Sequence, residues 1–128
     1  MKNFLLLTVG FFSIMFFSCS SVPKQIPENM TSQELIQRGQ ECFEAGNYPG
    51  ALEYYNTAVS RYSDWPSVYI EARYEIAHVY MKTKNYEKAE PIFNELIELY
   101  KQASPGAYPA AYKKLSEIGL EKIQEARS

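Results

Sequence analysis

Histidine, cysteine and clustered carboxylates are the side chains through which a chain of this size could do chemistry. His78 is the single histidine, so the sequence offers neither a His pair for zinc nor a Ser/His/Asp set for nucleophilic catalysis. It also has no glycine-rich loop of the kind that binds phosphates. The sequence therefore predicts that the protein is not an enzyme and needs no metal or cofactor.

The charge balance argues against a nucleic-acid partner. The chain carries 13 basic and 15 acidic side chains, and loss of a leader containing Lys2 would leave 12 against 15. Binding to a phosphate backbone needs clustered Lys and Arg, which are absent here. Four carboxylates are expected on the exposed face of one helix, where they would form weak charge pairs: Glu87, Glu90, Glu95 and Glu98.

The N-terminus has the features of an export signal. An apolar run of 14 residues, from Phe4 to Phe17, follows Lys2 and is too short to span a bilayer as a helix. It ends at Ser18-Cys19, which resembles the lipobox of bacterial lipoproteins. The resemblance implies that residues 1–18 are a lipoprotein signal peptide and that Cys19 is lipidated. An ordinary cleaved signal and an uncleaved anchor are the alternatives.

The resemblance also suggests a location in the cell. In lipoproteins an Asp after the lipidated Cys commonly signals inner-membrane retention, whereas residue 20 is Ser. An exported, lipid-anchored protein on the outer membrane, at its periplasmic or surface face, is therefore favoured over an inner-membrane one. Acylation of Cys19 would leave Cys42 as the only thiol, so no disulfide is expected, and Cys42 should be a small buried residue.

Residues 19–31 lie between this signal and the first amphipathic segment. They are mostly polar and contain Pro23 and Pro27, a composition typical of a flexible tether. The alternative is an ordered arm packed on the domain. The domain itself would then comprise residues 32–128.

Helix start and stop signals divide residues 32–128 into five helices. Thr31 and Glu34 form a capping box that begins the first helix, which should end at Gly46, and the second should run to the break at Ser63. The third and fourth are predicted at about 66–83 and 86–103. A fifth, at about 108–126, would cover the exposed face of the preceding pair.

An internal repeat unites these helices. Gly39, Ala51, Tyr55 and Ala58 recur 38 residues later as Ala77, Ala89, Phe93 and Leu96. This pattern of small and aromatic residues resembles the tetratricopeptide repeat (TPR), in which small residues let two helices approach closely. The resemblance implies an all-α, TPR-like α-solenoid of two helix-turn-helix repeats, at about 32–65 and 66–103, with a C-terminal capping helix.

The resemblance also implies where a partner would bind. In TPR proteins the partner usually lies in the concave groove lined by the first helix of each repeat. The matching positions here are Ile36, Gln40, Phe43, Tyr74, His78, Met81, Lys113 and Glu117, with Gln33, Glu44, Glu71, Lys82 and Leu120 beside them. These residues could equally pack between helices. They do not match the Lys, Asn and Arg set with which some TPR domains bind a C-terminal carboxylate.

Together these features predict a membrane-anchored TPR adaptor that mediates protein–protein interaction in the bacterial cell envelope. Its partners would be a protein or peptide of unknown identity, and the membrane through lipidated Cys19. One alternative is a self-associating scaffold, that is, a homo-oligomer. The other is an accessory or ligand-binding component of a periplasmic transport system, which requires an enclosed apolar pocket beside Tyr74 and Met81.

Overall fold

The computed structural model describes residues 21–128 of the chain, and the described part forms five α-helices without a strand. Each helix packs against the next one in the chain, and α3 also touches α1 and α5. This arrangement confirms the predicted all-α solenoid of two helical hairpins and a fifth helix. The helices are α1 (Ser32–Glu44), α2 (Tyr48–Arg61), α3 (Pro66–Lys82), α4 (Tyr86–Gln102) and α5 (Ala111–Arg127).

The start of α1 is the predicted capping box. The Thr31 hydroxyl accepts a hydrogen bond from the amide of Glu34 at 3.2 Å, and the Thr31 amide donates to the Glu34 carboxylate at 2.7 Å. These bonds lower the pKa of Glu34, the backbone bond having the largest effect. Two amides that would otherwise lack a partner at the helix start are thereby satisfied.

The two hairpins turn in the same way. In the first, Gly46 has a φ of 75° and the amide of Asn47 donates to the carbonyl of Cys42 at 2.8 Å. In the second, Lys84 takes the left-handed conformation with a φ of 59°, and the amide of Asn85 donates to the carbonyl of Tyr80 at 2.8 Å. Only the first of these turns has the glycine that this backbone conformation favours.

Close approach of helix backbones explains the repeated small and aromatic residues. The ring of Tyr55 lies directly on Gly39, so that a Cβ placed there would be 2.3 Å from Tyr55 Cε1. In the same way the ring of Phe93 lies on Gly119 of α5, where an added Cβ would be 2.5 Å from Phe93 Cε2. Four alanines at the repeat positions are completely buried in the core: Ala51, Ala58, Ala77 and Ala89.

Helix α5 begins at Ala111, three residues later than predicted. Pro109 accounts for the delay, because proline disfavours the helical conformation of the residue before it, here Tyr108. The Tyr100 hydroxyl also donates a hydrogen bond to the Pro109 carbonyl. On the helix itself Ile123 is buried, whereas Leu115 is 36% exposed, although its apolar spacing had suggested packing.

The polar segment before α1 is partly attached to the domain. Ile26 is buried, and Arg61 donates to the carbonyls of Ile26 at 3.0 Å and Pro27 at 2.6 Å. The Tyr62 hydroxyl donates to the carbonyl of Met30 at 2.9 Å. Residues 26–31 therefore form an ordered arm on the domain, which was the alternative interpretation of this segment. The predicted signal peptide and the lipidation site at Cys19 lie outside the described residues.

Cys42 is completely buried in α1, as its core position predicts. It is disulfide-bonded, however, which contradicts the expectation of a lone thiol. The sequence contains one other cysteine, Cys19. Within residues 21–128 no helix is both long enough and apolar enough to cross a membrane.

Candidate functional site

A row of five rings joins α1, α3 and α5, and its end member lies at the start of α2. The ring centroids of Phe43 on α1 and His78 on α3 are 4.8 Å apart, and Tyr74 stacks on His78 at 6.0 Å. Tyr112 on α5 extends the row at 5.4 Å from Tyr74, and Tyr48 extends it at the other end, 5.6 Å from Phe43. We call these five residues the aromatic row.

The fold positions this row through simple helical spacing. Tyr74 and His78 are four residues apart and therefore share one face of α3. Tyr74 is fixed from below by Phe93 of α4, whose ring centroid is 6.1 Å away. Since Phe93 in turn lies on Gly119, the same close helix contacts that build the solenoid also set the positions of these rings.

Two carboxylates of α3 accompany the aromatic row. Glu75 Oε2 lies 3.6 Å from His78 Nδ1, and the Glu75 side chain is only 17% exposed. Glu71, one turn earlier, is half-buried. Burial has the largest effect on the pKa of its carboxyl and raises it, and the charge of Glu75 raises it further, while a hydrogen bond from Tyr112 acts to lower it. Among the described residues neither carboxylate has a Lys or Arg within ion-pairing distance. The site therefore carries uncompensated negative charge.

The charges of the same carboxylates act on the hydroxyl of Tyr55. Tyr55 is completely buried, and its hydroxyl is the one buried side-chain polar atom of residues 21–128 without a hydrogen-bond partner. Burial raises the pKa of this hydroxyl, and the charges of Glu75, Glu44 and Glu71 raise it further. A buried hydroxyl without a partner costs about 1–3 kcal/mol, so this atom lowers the stability of the core.

The structure brings some of the predicted groove residues together and separates others. Phe43 and Tyr74 are each in ring contact with His78. Ile36 is buried, and with Gln33, Gln40 and Glu71 it lines an open cleft of about 510 Å³ between α1 and α3.

The other predicted positions lie apart from this contact. Met81 is half-buried against the core, and Lys113 borders the loop between α4 and α5. Glu117 lies 3.9 Å from Lys114 on the same helix. Whether any of these residues binds a partner stays a prediction.

Three residues at or near the aromatic row are absent from the groove that the sequence predicts. The spacing of Glu75 from Glu71 and His78 places all three on adjoining turns of α3. Tyr112 reaches the row only through the packing of α5 on α3. The hydroxyl of Tyr55 has no sequence signal, because the matching position of the second repeat is Phe93.

A second polar cluster fastens α3 to α4 on another face. Tyr69 donates to Glu95 at 2.5 Å, and Arg73 forms an ion pair with the same carboxylate. Partial burial acts to raise the pKa of Glu95, but the hydrogen bonds from Arg73 and Tyr69 outweigh it and lower the pKa. The prediction of a solvated Glu95 is therefore wrong, whereas Glu98 forms the expected exposed pair with Lys101.

The described residues contain no group of three or more His, Cys, Asp or Glu that could hold a metal ion. The open cleft beside Ile36 has both polar and apolar walls and is not the enclosed apolar pocket that a transport accessory would need. What the site offers is a shallow surface of stacked rings with acidic side chains.

Comparison with known families assigns the class of protein. The model of the tetratricopeptide repeat matches residues 43–115, which is more than half of the chain. The chain therefore belongs to the tetratricopeptide repeat family, whose members generally bind protein partners.

A relative in Treponema pallidum (strain Nichols), described as an uncharacterized protein, is 33% identical over 110 residues. The match covers 84% of this chain but 44% of that protein, so the chain spans less than half the length of its relative. No solved structure matches the chain.

Proposed function

We propose that this protein is an adaptor that binds a partner protein along the aromatic row, without a chemical step. The observation that supports this function is the continuous contact of five rings, four of them on α1, α3 and α5 and the fifth, Tyr48, at the start of α2. Stacked rings held by a rigid scaffold offer a large contact area at little conformational cost. His78 remains 45% exposed, so the row is accessible from solvent.

The adaptor proposal is tested by site-specific photo-crosslinking in the native organism. A photoreactive phenylalanine analogue replaces His78 in one strain and Glu53, an exposed residue of α2, in a control strain. We expect one discrete crosslinked protein from position 78 and none from position 53. Equal crosslinking from both positions, or none from position 78, would contradict binding at the aromatic row.

We further propose that the protein is lipidated at Cys19 and faces the outside of the cell or the periplasm. The apolar run that ends at Ser18-Cys19 supports this proposal. Intact mass of the purified protein tests this proposal: acylation adds the mass of the lipid, and a mass that matches the unmodified polypeptide would exclude it.

Self-association is a second candidate function, favoured by the exposure of Leu115 on α5. If this surface joins two copies, a Leu115→Lys change should convert a dimer to a monomer in light scattering. The matched control is Lys114→Leu, one residue away, which should leave the dimer intact. A monomer in the unchanged protein would exclude this candidate.

A further inference from the structure

The charge around the aromatic row indicates which chemistry the partner supplies. Glu71 and Glu75 are four residues apart on α3 and lie on the same face as Tyr74 and His78. Both are half-buried, and His78 is the only basic side chain near enough to pair with either in the described part of the chain. Two like charges so placed repel each other, which a bound cation would relieve.

The rings favour the same kind of ligand. Ammonium and guanidinium groups are attracted to the faces of aromatic rings within about 6 Å, and more strongly where water is partly excluded. The rings of Tyr74 and Tyr112 are of this kind; they lie 5.4 Å apart, and Tyr112 also donates a hydrogen bond to Glu71. A cation placed here would contact rings and carboxylate oxygens at the same time.

Arg and Lys head groups could satisfy both carboxylates at once, because they carry five and three N–H donors respectively. The charges of Glu75, Glu44 and Glu71 also raise the pKa of the buried Tyr55 hydroxyl, after burial itself, which is a further mark of negative charge in this part of the molecule.

We propose that the aromatic row binds an extended partner segment by a Lys or Arg side chain, held against the rings of Tyr74 and Tyr112 by Glu71 and Glu75. This inference rests on the proposed adaptor function and names the chemistry of its partner. The negative charge of this site is opposite to the charge of TPR grooves that use basic residues to bind a carboxylate. An open site across three helices suits a chain segment better than an enclosed pocket would.

The test uses the protein as the cell processes it, in uncharged detergent micelles, with capped peptides of nine residues as probes. Each peptide consists of Gly and Ser with one central residue, which is Arg, Lys, Gln or Glu. Chemical shifts of backbone amides are followed during titration. We expect saturable shifts at Tyr74, His78 and Tyr112 with Arg and Lys, at roughly tenfold or higher affinity than with Gln.

Two double variants separate this site from general electrostatic attraction. Glu71→Gln with Glu75→Gln should lower the affinity for the Arg peptide about tenfold. The control, Glu87→Gln with Glu98→Gln on the exposed face of α4, changes the net charge equally and should leave the affinity within about twofold, because distant exposed charges are screened.

Each other outcome overturns a stated part of the proposal. Equal affinity for the Arg, Gln and Glu peptides would refute the cationic partner, and equal losses in the two double variants would refute the site. Tighter binding of spermidine than of the peptides would assign the site to a small polyamine. If no cationic peptide binds while position 78 still crosslinks to a protein, this inference fails and the adaptor function stands.

Discussion

The contact between Gly39 and Tyr55 gives the sharpest prediction about the fold. In a Gly39→Ala variant the new Cβ would lie 2.3 Å from Tyr55 Cε1, 2.6 Å from Cδ1 and 2.7 Å from Cζ. Carbon atoms in contact are normally about 3.5–4.0 Å apart. The ring must therefore move by about 1 Å to restore that spacing. Tyr55 is completely buried, so it has no free space into which to move.

The expected cost combines two opposing effects. Overpacking a core typically costs about 1–3 kcal/mol, while replacing Gly by Ala within a helix contributes about 1 kcal/mol of stability. Because the clash is severe, we expect a net loss of about 1–2 kcal/mol, which corresponds to a fall in melting temperature of roughly 5–10 °C for a domain of this size. Thermal unfolding followed by circular dichroism measures this change.

A double-mutant cycle assigns the cost to the ring. Tyr55→Leu removes the clashing atoms, so Gly39→Ala in that background should be neutral or stabilising, with a coupling energy of about 2 kcal/mol. The second repeat supplies a matched case, because Gly119→Ala should clash with Phe93 and be relieved by Phe93→Leu. An unchanged melting temperature for Gly39→Ala, or an equal loss with and without Tyr55→Leu, would refute the reasoning.

Three further predictions concern backbone strain and pH. Lys84→Gly should raise the free energy of unfolding by about 0.5–1 kcal/mol, because the left-handed conformation of Lys84 is strained for any residue with a Cβ. The control Lys82→Gly, within α3, should lower the free energy of unfolding; thermal unfolding followed by circular dichroism measures both variants. The pKa of Glu95 is lowered in the folded protein, so its pairing with Arg73 stabilises the protein at pH values above the usual Glu pKa. This stabilisation is lost as the pH falls through the lower pKa of the folded state. In denaturant titrations the protein should therefore lose its stability advantage over the Glu95→Gln variant between about pH 5 and pH 3. Glu71 has a raised pKa, so its ionisation opposes folding as the pH rises above the usual Glu pKa, and Glu71→Gln should raise the melting temperature at pH 7 but not at pH 4.

Each of these has a result that contradicts it. A lower melting temperature for Lys84→Gly would mean that Lys84 contributes contacts that outweigh its backbone strain. A constant difference between the protein and Glu95→Gln at every pH would show that the pair with Arg73 adds no ionic stability. If Glu71→Gln lowers the melting temperature at pH 7, the half-buried carboxylate is compensated and the site lacks the negative charge described above.

The parts of the structure that the sequence predicted are those with local causes. The capping box of Thr31 and Glu34 involves residues three apart, and the turn at Gly46 follows from one residue's conformation. The repeat predicted close approach of the helices at its small residues, and the contact of Tyr55 with Gly39 is the form that this approach takes. All-helical architecture follows from these features together.

The features that the sequence did not predict depend on contacts between distant residues. Ile26 is buried because Arg61, 35 residues later, binds its carbonyl, and no periodic pattern marks such a pair. Glu95 looked like a surface residue until the fold placed Tyr69 and Arg73 beside it. The candidate site also combines local and distant causes. Helical spacing predicts that Tyr74 and His78 share a face of α3. Only the packing of α1, α3 and α5 brings Phe43 and Tyr112 to them.

The bonds from Arg61 and Tyr62 to the N-terminal arm have a consequence for how far the domain could stand from a membrane. Because Ile26 is fixed to the domain, only seven residue steps separate it from Cys19, a reach of at most about 25 Å. A lipid at Cys19 would therefore keep the α2–α3 connection near the bilayer. Trp65, 59% exposed and in ring contact with Tyr62, lies on that connection. The solenoid would then have a membrane-facing edge, and its binding surface could not turn freely.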